Sequence, residues 1–328
     1  MSLKSSSDAF SKLVIYMQKP FIPIIAGPTA SGKTSLSIEL AKRYNGEIVS
    51  ADSMQIYKNM DIATAKPDAD EMQGIPHHLI GIIEPDEEFS VAQYKTRAIA
   101  AIEDILSRGK MPIVVGGTGL YIDTLINNTE FLDYEKSDIR RTLEARNENE
   151  GTLSLWNELN SIDTQTAEKL HINDTKRIIR ALEVYYSTGK TISEQRELSH
   201  INETPYRWCL IGLNADDRQY LYDRINLRVD IMLEMGLLKE AETFFASDVS
   251  HTAVQAIGYK ELKPYIDGNK SLDEAIEKLK METRRYAKRQ LTWFRRYSDI
   301  NWFMIDRYDK NELVNRVSAL IDESRRML

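Results

Sequence analysis

Apolar positions along the chain fall into two periodicities. Phe21 to Ala26 (FIPIIA), Glu47 to Ala51 (EIVSA) and Pro112 to Val115 (PIVV) are short continuous apolar runs of the buried-strand kind. Ser35 to Arg43 (SLSIELAKR) and Ser90 to Ser107 carry apolar residues at helical spacing. Strands alternating with helices imply a parallel sheet covered by helices on both faces. From about Lys136 to Ser199 the strand signal disappears. Asp138 to Glu148, Leu153 to Asn160 and Thr175 to Ser187 read as helices, the last entered through a capping Asp174 and stopped by Gly189. Tyr206 to Leu213 (YRWCLIGL) restarts the alternation. Helices near Asp216 to Met235 and Ser271 to Tyr297, a strand at Asn301 to Ile305 and a helix near Asn311 to Arg326 complete it.

The first strand runs into Gly27 to Thr34, GPTASGKT, which fits the phosphate-loop pattern G-x-x-x-x-G-K-[ST]. In such a loop backbone N–H groups wrap an anion, Lys33 adds a point charge and the Thr34 hydroxyl is placed to hold a magnesium ion. The expected fold is therefore α/β, a P-loop NTPase-like parallel sheet flanked by helices and interrupted by an all-helical insertion. Its parts are a tail at 1–20, a catalytic core at 21–135 and 206–328, and the insertion at 136–205. In open parallel sheets ligands bind beyond the carboxyl ends of the strands, so Gly27, Asp52 and Thr118 should converge on one crevice. Asp52, ending the second strand, is a candidate general base, or else an acid that caps a loop or holds magnesium through water. Thr118, in Gly116-Gly117-Thr118-Gly119, reads either as a ligand contact or as a tight strand-to-helix connection. The strand before it ends in glycines rather than in a magnesium-binding acid, which argues against a motor or switch ATPase.

Composition narrows the class. The 328 residues, 42% hydrophobic and 28% charged, suit a soluble globular chain with a sizeable core. No apolar run approaches a membrane span, and no signal-peptide core is evident, so the expected setting is the cytoplasm. A single cysteine, Cys209, excludes an intrachain disulfide and a Cys-based zinc cluster, and the five histidines lack metal-ligand spacing. His77 and His78 read as loop anchors or substrate contacts. The net charge of −7 argues against nucleic acid until its distribution is considered. Between Thr283 and Tyr297 stand Arg284, Arg285, Lys288, Arg289, Arg295 and Arg296 without an acid, interleaved with Tyr286, Trp293, Phe294 and Tyr297. The cations suit RNA phosphates, whereas the aromatics fit the core face of an amphipathic helix. Lys176, Arg177 and Arg180, opposite an apolar stripe, suit RNA or water equally.

Six ordered motifs then coincide: GPTASGKT, SADSMQIYKNMDIATAKP from Ser50, IPHHLI from Ile75, GGTGLY from Gly116, NDTKRIIRALEVYYSTGK from Asn173 and QAIGYKE from Gln255. Together, over Phe21 to Tyr297, the chain resembles the tRNA dimethylallyltransferases. These enzymes move a dimethylallyl group from its pyrophosphate to N6 of the adenosine 3′-adjacent to the anticodon, in tRNAs reading codons that begin with U. The resemblance implies that Gly27, Thr29, Ala30, Ser31, Gly32, Lys33 and Thr34, with Arg228, bind the pyrophosphate, that Asp52 is the base, and that Thr118 helps hold the acceptor. It implies tRNA contacts at Asp52, Ser53, Met54, Gln55, Thr118, Arg140, Lys176, Arg177, Ile178, Ile179, Arg180, Gln255, Ala256, Ile257, Gly258, Tyr259 and Lys260. Magnesium as cofactor, a tRNA anticodon stem-loop as partner, no membrane and a monomeric state complete the expectation. Many relatives have arginine where this chain has Met54, and an acid where it has Gly81.

Three rivals share parts of the pattern. A prenyltransferase of free adenine nucleotides needs neither the insertion nor the basic C-terminal helix. A small-molecule kinase also pairs a phosphate loop with an Asp after the next strand. A nucleotide-switched RNA-binding protein would keep its function without Asp52.

Overall fold

The computed structural model describes residues 19–131, 138–201 and 204–326. The tail expected at 1–20 falls almost wholly outside the described residues, as does the boundary expected at 135/136. In chain order the elements are β1 (Phe21–Ala26), α1 (Lys33–Tyr44), β2 (Gly46–Ser50), α2 (Ala69–Met72), β3 (His77–His78), α3 (Val91–Ser107), β4 (Met111–Gly116) and α4 (Gly119–Ile126). Next come α5 (Ile139–Glu150), α6 (Thr152–Ile162), α7 (Thr164–Ala167), α8 (Thr175–Thr188) and α9 (Ile192–Ile201). The last are β5 (Arg207–Asn214), α10 (Arg218–Glu234), α11 (Leu237–Phe245), α12 (Tyr259–Ile266), α13 (Leu272–Phe294), β6 (Asn301–Met304) and α14 (Lys310–Arg326).

The six strands form one parallel sheet in the order β3-β2-β4-β1-β5-β6. Every residue of β2 and β4 is buried, as the continuous apolar runs require of strands covered on both faces. Ile25, Ile113, Val115, Ile211 and Leu213 of the sheet pack with Leu36 and Leu40 of α1, Leu221 and Ile225 of α10, Ala287 of α13 and Val317 and Ile321 of α14. Helix starts follow local chemistry. Ser90 with Gln93, and Ser271 with Glu274, close reciprocal capping boxes, in which side chain and backbone satisfy each other's orphan N–H groups. The sequence pattern missed the short helices α2 and α7, the helices α9, α11 and α12 and the two-residue β3, and gave no range for α4. Contacts divide the chain into two units, Met1–Asp123 with Pro205–Leu328, and Thr124–Thr204.

The second unit has its own core of Leu143, Leu155, Leu159, Ala167, Ile178, Ile179, Ala181 and Leu182. Ile178 and Ile179, expected among the tRNA contacts, are instead buried here at 0% and 4% exposure, because the α8 stripe that carries them faces α5 and α6. Asp174 does occupy the N-cap of α8, but its side chain caps nothing and pairs with Arg177 at 3.2 Å. Gly189 ends the helix in the left-handed region at φ 70°, where glycine carries no Cβ penalty. Arg140 and Arg180 both reach the nearly buried Glu183, at 2.9 and 3.0 Å. Their charge is thus partly spent inside the unit, while Lys176 and Arg177 stay exposed. Ile178→Ala should destabilise this unit by about 2–5 kcal/mol, the cost of a core cavity. Denaturant unfolding giving a change within about 0.5 kcal/mol would place Ile178 on the surface instead.

Candidate active site

Strand order puts the ends of β1, β4 and β2 side by side, and each end carries one part of the site. The loop after β1 turns tightly against the sheet. A Cβ on Gly27 would stand 2.8 Å from the Leu213 carbonyl oxygen, so only glycine fits. Gly32 enters α1 at φ 86°, and Ala30 is held at φ 61°, an uncommon conformation for a residue with a side chain. The first N–H groups of α1 have no intrahelical partner and open onto the loop, with the positive end of the helix dipole behind them. Two members of the loop are already engaged. The Ser31 hydroxyl donates to the Pro28 carbonyl at 2.8 Å and is buried, so it braces the loop and is not available to a phosphate. The Thr29 N–H donates to Gln290 Oε1 at 2.9 Å.

Lys33 Nζ donates to the carbonyls of Gly27 at 3.0 Å and Pro28 at 2.7 Å. Burial pushes its ammonium down to about 7, opposed by the Asp52 carboxylate and assisted by the Arg228 guanidinium. Arg228, on α10, is likewise shifted down by burial, and its Nη2 lies 3.5 Å from the Ala65 carbonyl. One turn earlier Arg224 donates to the Ala30 carbonyl at 2.8 Å and comes close to Gly32. Arg224 is a loop contact that motif matching did not reveal. Its spacing of four residues from Arg228 on a helix was the available signal. Lys33, Arg224 and Arg228 therefore surround a short loop with positive charge, a grip suited to an oligophosphate.

At the end of β2, Asp52 Oδ1 accepts the Met54 N–H at 2.9 Å and the Gln55 N–H at 3.4 Å. The loop-capping reading of Asp52 is therefore correct for one oxygen. Among the described residues Oδ2 takes no hydrogen bond, which leaves it for a substrate proton. Thr118 Oγ1 accepts the Ser53 N–H at 2.9 Å and stands 3.3 Å from Ser53 Oγ, while the Thr118 N–H donates to the Ala51 carbonyl at 3.1 Å. The Gly-Gly-Thr turn is thus both a tight connection and a clamp on the residue after Asp52. A Cβ on Gly116 would fall 2.1 Å from the Ala51 carbonyl oxygen, which is why β4 ends in glycine.

Some expected contacts belong to the fold. Gln55 Nε2 donates to the Thr64 and Ala65 carbonyls at 3.2 and 3.1 Å, so its amide anchors a loop. Ala256, Gly258 and Tyr259 are buried, with Tyr259 stacked on Phe244 at 4.1 Å and donating to Glu240, whereas Gln255 and Lys260 are exposed and Ile257 is half-buried. Glu240 also accepts the N–H groups of Asp61, Ile62 and Ala63 at 2.8–2.9 Å. His77 Nδ1 donates to the Ile75 carbonyl, and His78 meets Glu47 at 2.7 Å beside Lys110 and Arg108, so both histidines anchor the edge strand.

On α13 the two halves of the basic–aromatic pattern separate. Phe294 is fully buried, Trp293 lies against Gly119, and the Tyr297 hydroxyl donates to Asp123 at 2.8 Å. The Tyr286 hydroxyl meets Thr118 and Gln290, and burial, then the Asp52 charge, pushes its phenol up. Arg284 turns inward to Asn226, Arg285 pairs with Glu282, and Lys288, Arg289, Arg295 and Arg296 are exposed.

A family model described as IPP transferase matches residues 55–297. The chain belongs to the IPP transferase family. Among members of that family, the tRNA dimethylallyltransferase of Acetivibrio thermocellus is 54% identical over 294 residues, covering 89% of this chain and 94% of the relative. The one from Bacillus cytotoxicus is 49% identical, covering 91% and 95%. A solved tRNA isopentenylpyrophosphate transferase of Staphylococcus epidermidis superposes with a TM-score of 0.68 at 44% identity, over 93% of this chain and all of that one. A eukaryotic dimethylallyltransferase acting on tRNA superposes with a TM-score of 0.78 at 34% identity, over 91% of this chain and 78% of that one. These IPP transferases are enzymes, and so is this member, with the sheet and phosphate loop set as the sequence implied.

The low Lys33 value makes anion binding a protonation event. Burial holds the Lys33 ammonium down at about 7, and a polyanion beside Nζ raises it again and favours the charged form. Calorimetric titration of pyrophosphate at pH 8 in buffers of different ionisation enthalpy should show more proton uptake in the wild type than in Lys33→Met. Equal uptake by the two proteins would refute the assignment.

Proposed function

We propose that this enzyme transfers the dimethylallyl group of dimethylallyl pyrophosphate to N6 of the adenosine 3′-adjacent to the anticodon, in tRNAs reading codons that begin with U. The observation that carries the reading is the meeting of a cation-rimmed phosphate loop with the half-bonded carboxylate of Asp52 on strand ends one strand apart. The activity of its relatives, dimethylallyltransferases acting on tRNA, supports the dimethylallyl donor and the tRNA acceptor.

In this reading the C1–O bond of the donor breaks, and its electron pair leaves with pyrophosphate onto Lys33, Arg224, Arg228 and the first amides of α1. Stabilising charge that develops on the leaving group is where such donors act most strongly. The N6 lone pair forms the new bond to C1, and the N6 proton passes to Asp52 Oδ2. The target base leaves its stack to enter the crevice, which is cheaper from a loop than from a duplex. Exposed Lys288, Arg289, Arg295 and Arg296 supply phosphate contacts for the RNA, with Lys176, Arg177 and Lys260 as further candidates.

Magnesium fits the donor set. Thr34 lies in the first turn of α1 and lines a small pocket in which Ser37, Ser50, Gln55 and His77 stand among apolar residues such as Ile48 and Val115. Magnesium usually keeps several waters and shares substrate phosphates, so one hydroxyl is a sufficient protein ligand. When bound, the ion adds Lewis-acid stabilisation of the leaving pyrophosphate. The proposal includes a cytoplasmic setting and a monomer. Among the described residues no helix is long and apolar enough to cross a membrane.

Labelled dimethylallyl pyrophosphate should transfer its label to unmodified tRNA of this class, and not to AMP or ATP. Asp52→Ala should slow that transfer by about 10²- to 10⁴-fold while RNA binding persists. Label on AMP alone would make the enzyme a free-nucleotide prenyltransferase, and ATP turnover without transfer would make it a kinase or ATPase. Chelation by EDTA should reduce the rate, with recovery on adding magnesium.

A further inference from the structure

Gln290 is a buried amide near the C-terminal end of α13, at 5% exposure, and it is not itself among the residues assigned to substrate. Its two ends nevertheless join the two halves of the site. Oε1 accepts the Thr29 N–H of the phosphate loop at 2.9 Å, and Nε2 donates to the Gly117 carbonyl of the Gly-Gly-Thr turn at 3.0 Å. The fit is tight, since a Cβ on Gly117 would lie 2.1 Å from Nε2. The next residue, Thr118, holds the Ser53 N–H at 2.9 Å, and Ser53 follows Asp52. Three hydrogen bonds, joined by the Gly117–Thr118 and Asp52–Ser53 peptide links, thus connect the leaving-group loop to the base.

We propose that Gln290 is a positioning residue that sets the spacing between the pyrophosphate grip and Asp52. The inference rests on the transferase reading. An in-line alkyl transfer needs C1 held between its leaving group and N6, and small misplacements of such partners are costly in rate. A primary amide offers an acceptor to one backbone group and a donor to another from a single rigid plane without carrying charge. The basic residues Lys288 and Arg289 on the same helix lie within two residues of it, so RNA held on α13 bears on the helix that carries the clip.

Gln290→Met removes both bonds at nearly constant volume, and Gln290→Glu keeps the acceptor for Thr29 but sets an oxygen against the Gly117 carbonyl. In both variants kcat for RNA alkylation should fall about 10- to 100-fold, with KM for tRNA changed less than about threefold. The fraction of dimethylallyl pyrophosphate lost to hydrolysis instead of transfer should rise, an uncoupling that a general loss of folded protein does not produce. Amide exchange at 27–34 and 116–119 should speed up in Gln290→Met, a readout that needs no catalysis. Unchanged exchange would overturn the clip. Faster exchange with unchanged kcat and coupling would overturn its positioning role. A wild type that does not alkylate tRNA would fail the transferase reading, whereas a transferring wild type matched by both variants would fail the inference alone.

Discussion

Everything at the site depends on the strand order β2-β4-β1. Neighbouring strands in a sheet lie about 4.8 Å apart, so the ends of β1 and β2 are separated by roughly 10 Å with the end of β4 between them. That interval accommodates a phosphate on one side, a carboxylate on the other and a short substrate between. Hydrogen bonding in the sheet defines it before any site residue contributes. The glycines closing β4 then keep the middle of the interval clear, since a side chain on Gly116 would collide with the Ala51 carbonyl.

Much of this was legible in the sequence because its signals are local. The phosphate loop announces itself through glycines that a tight turn demands, and Asp52 and Thr118 through their places at strand ends. Helix boundaries at Ser90 and Ser271 came within a residue or two because their capping boxes are written in adjacent positions. What stayed hidden depends on tertiary partners. Nothing near Gln290 says that its amide will be divided between Thr29 and Gly117, and nothing near Gln55 says that its amide will be spent on Thr64 and Ala65. Ile178, Ile179, Ala256 and Tyr259 show the opposite error. They lie within motifs that resemble RNA-contacting stretches, but a motif does not say which of its side chains face inward.

The two departures from the family pattern acquire physical content. A side chain on Gly81 would begin 3.7 Å from Lys66 Nζ, so an acid there would pair with that ammonium. Here Lys66 finds Asp61 and the Tyr57 carbonyl instead, and Gly81 keeps a φ of 59° that suits glycine. Met54 donates its N–H to Asp52 whatever its side chain, so replacing an arginine there spares the turn that orients the base.

Glu240 binds the chain as a substrate would be bound. Three successive N–H groups, from Asp61 to Ala63, close around its carboxylate as a phosphate loop closes around phosphate. The protein thus contains two such turns of backbone N–H groups, one at the phosphate loop and one whose anion is supplied permanently from within the chain. With its three N–H groups held by an internal carboxylate, the 61–63 turn offers no second site to an added anion.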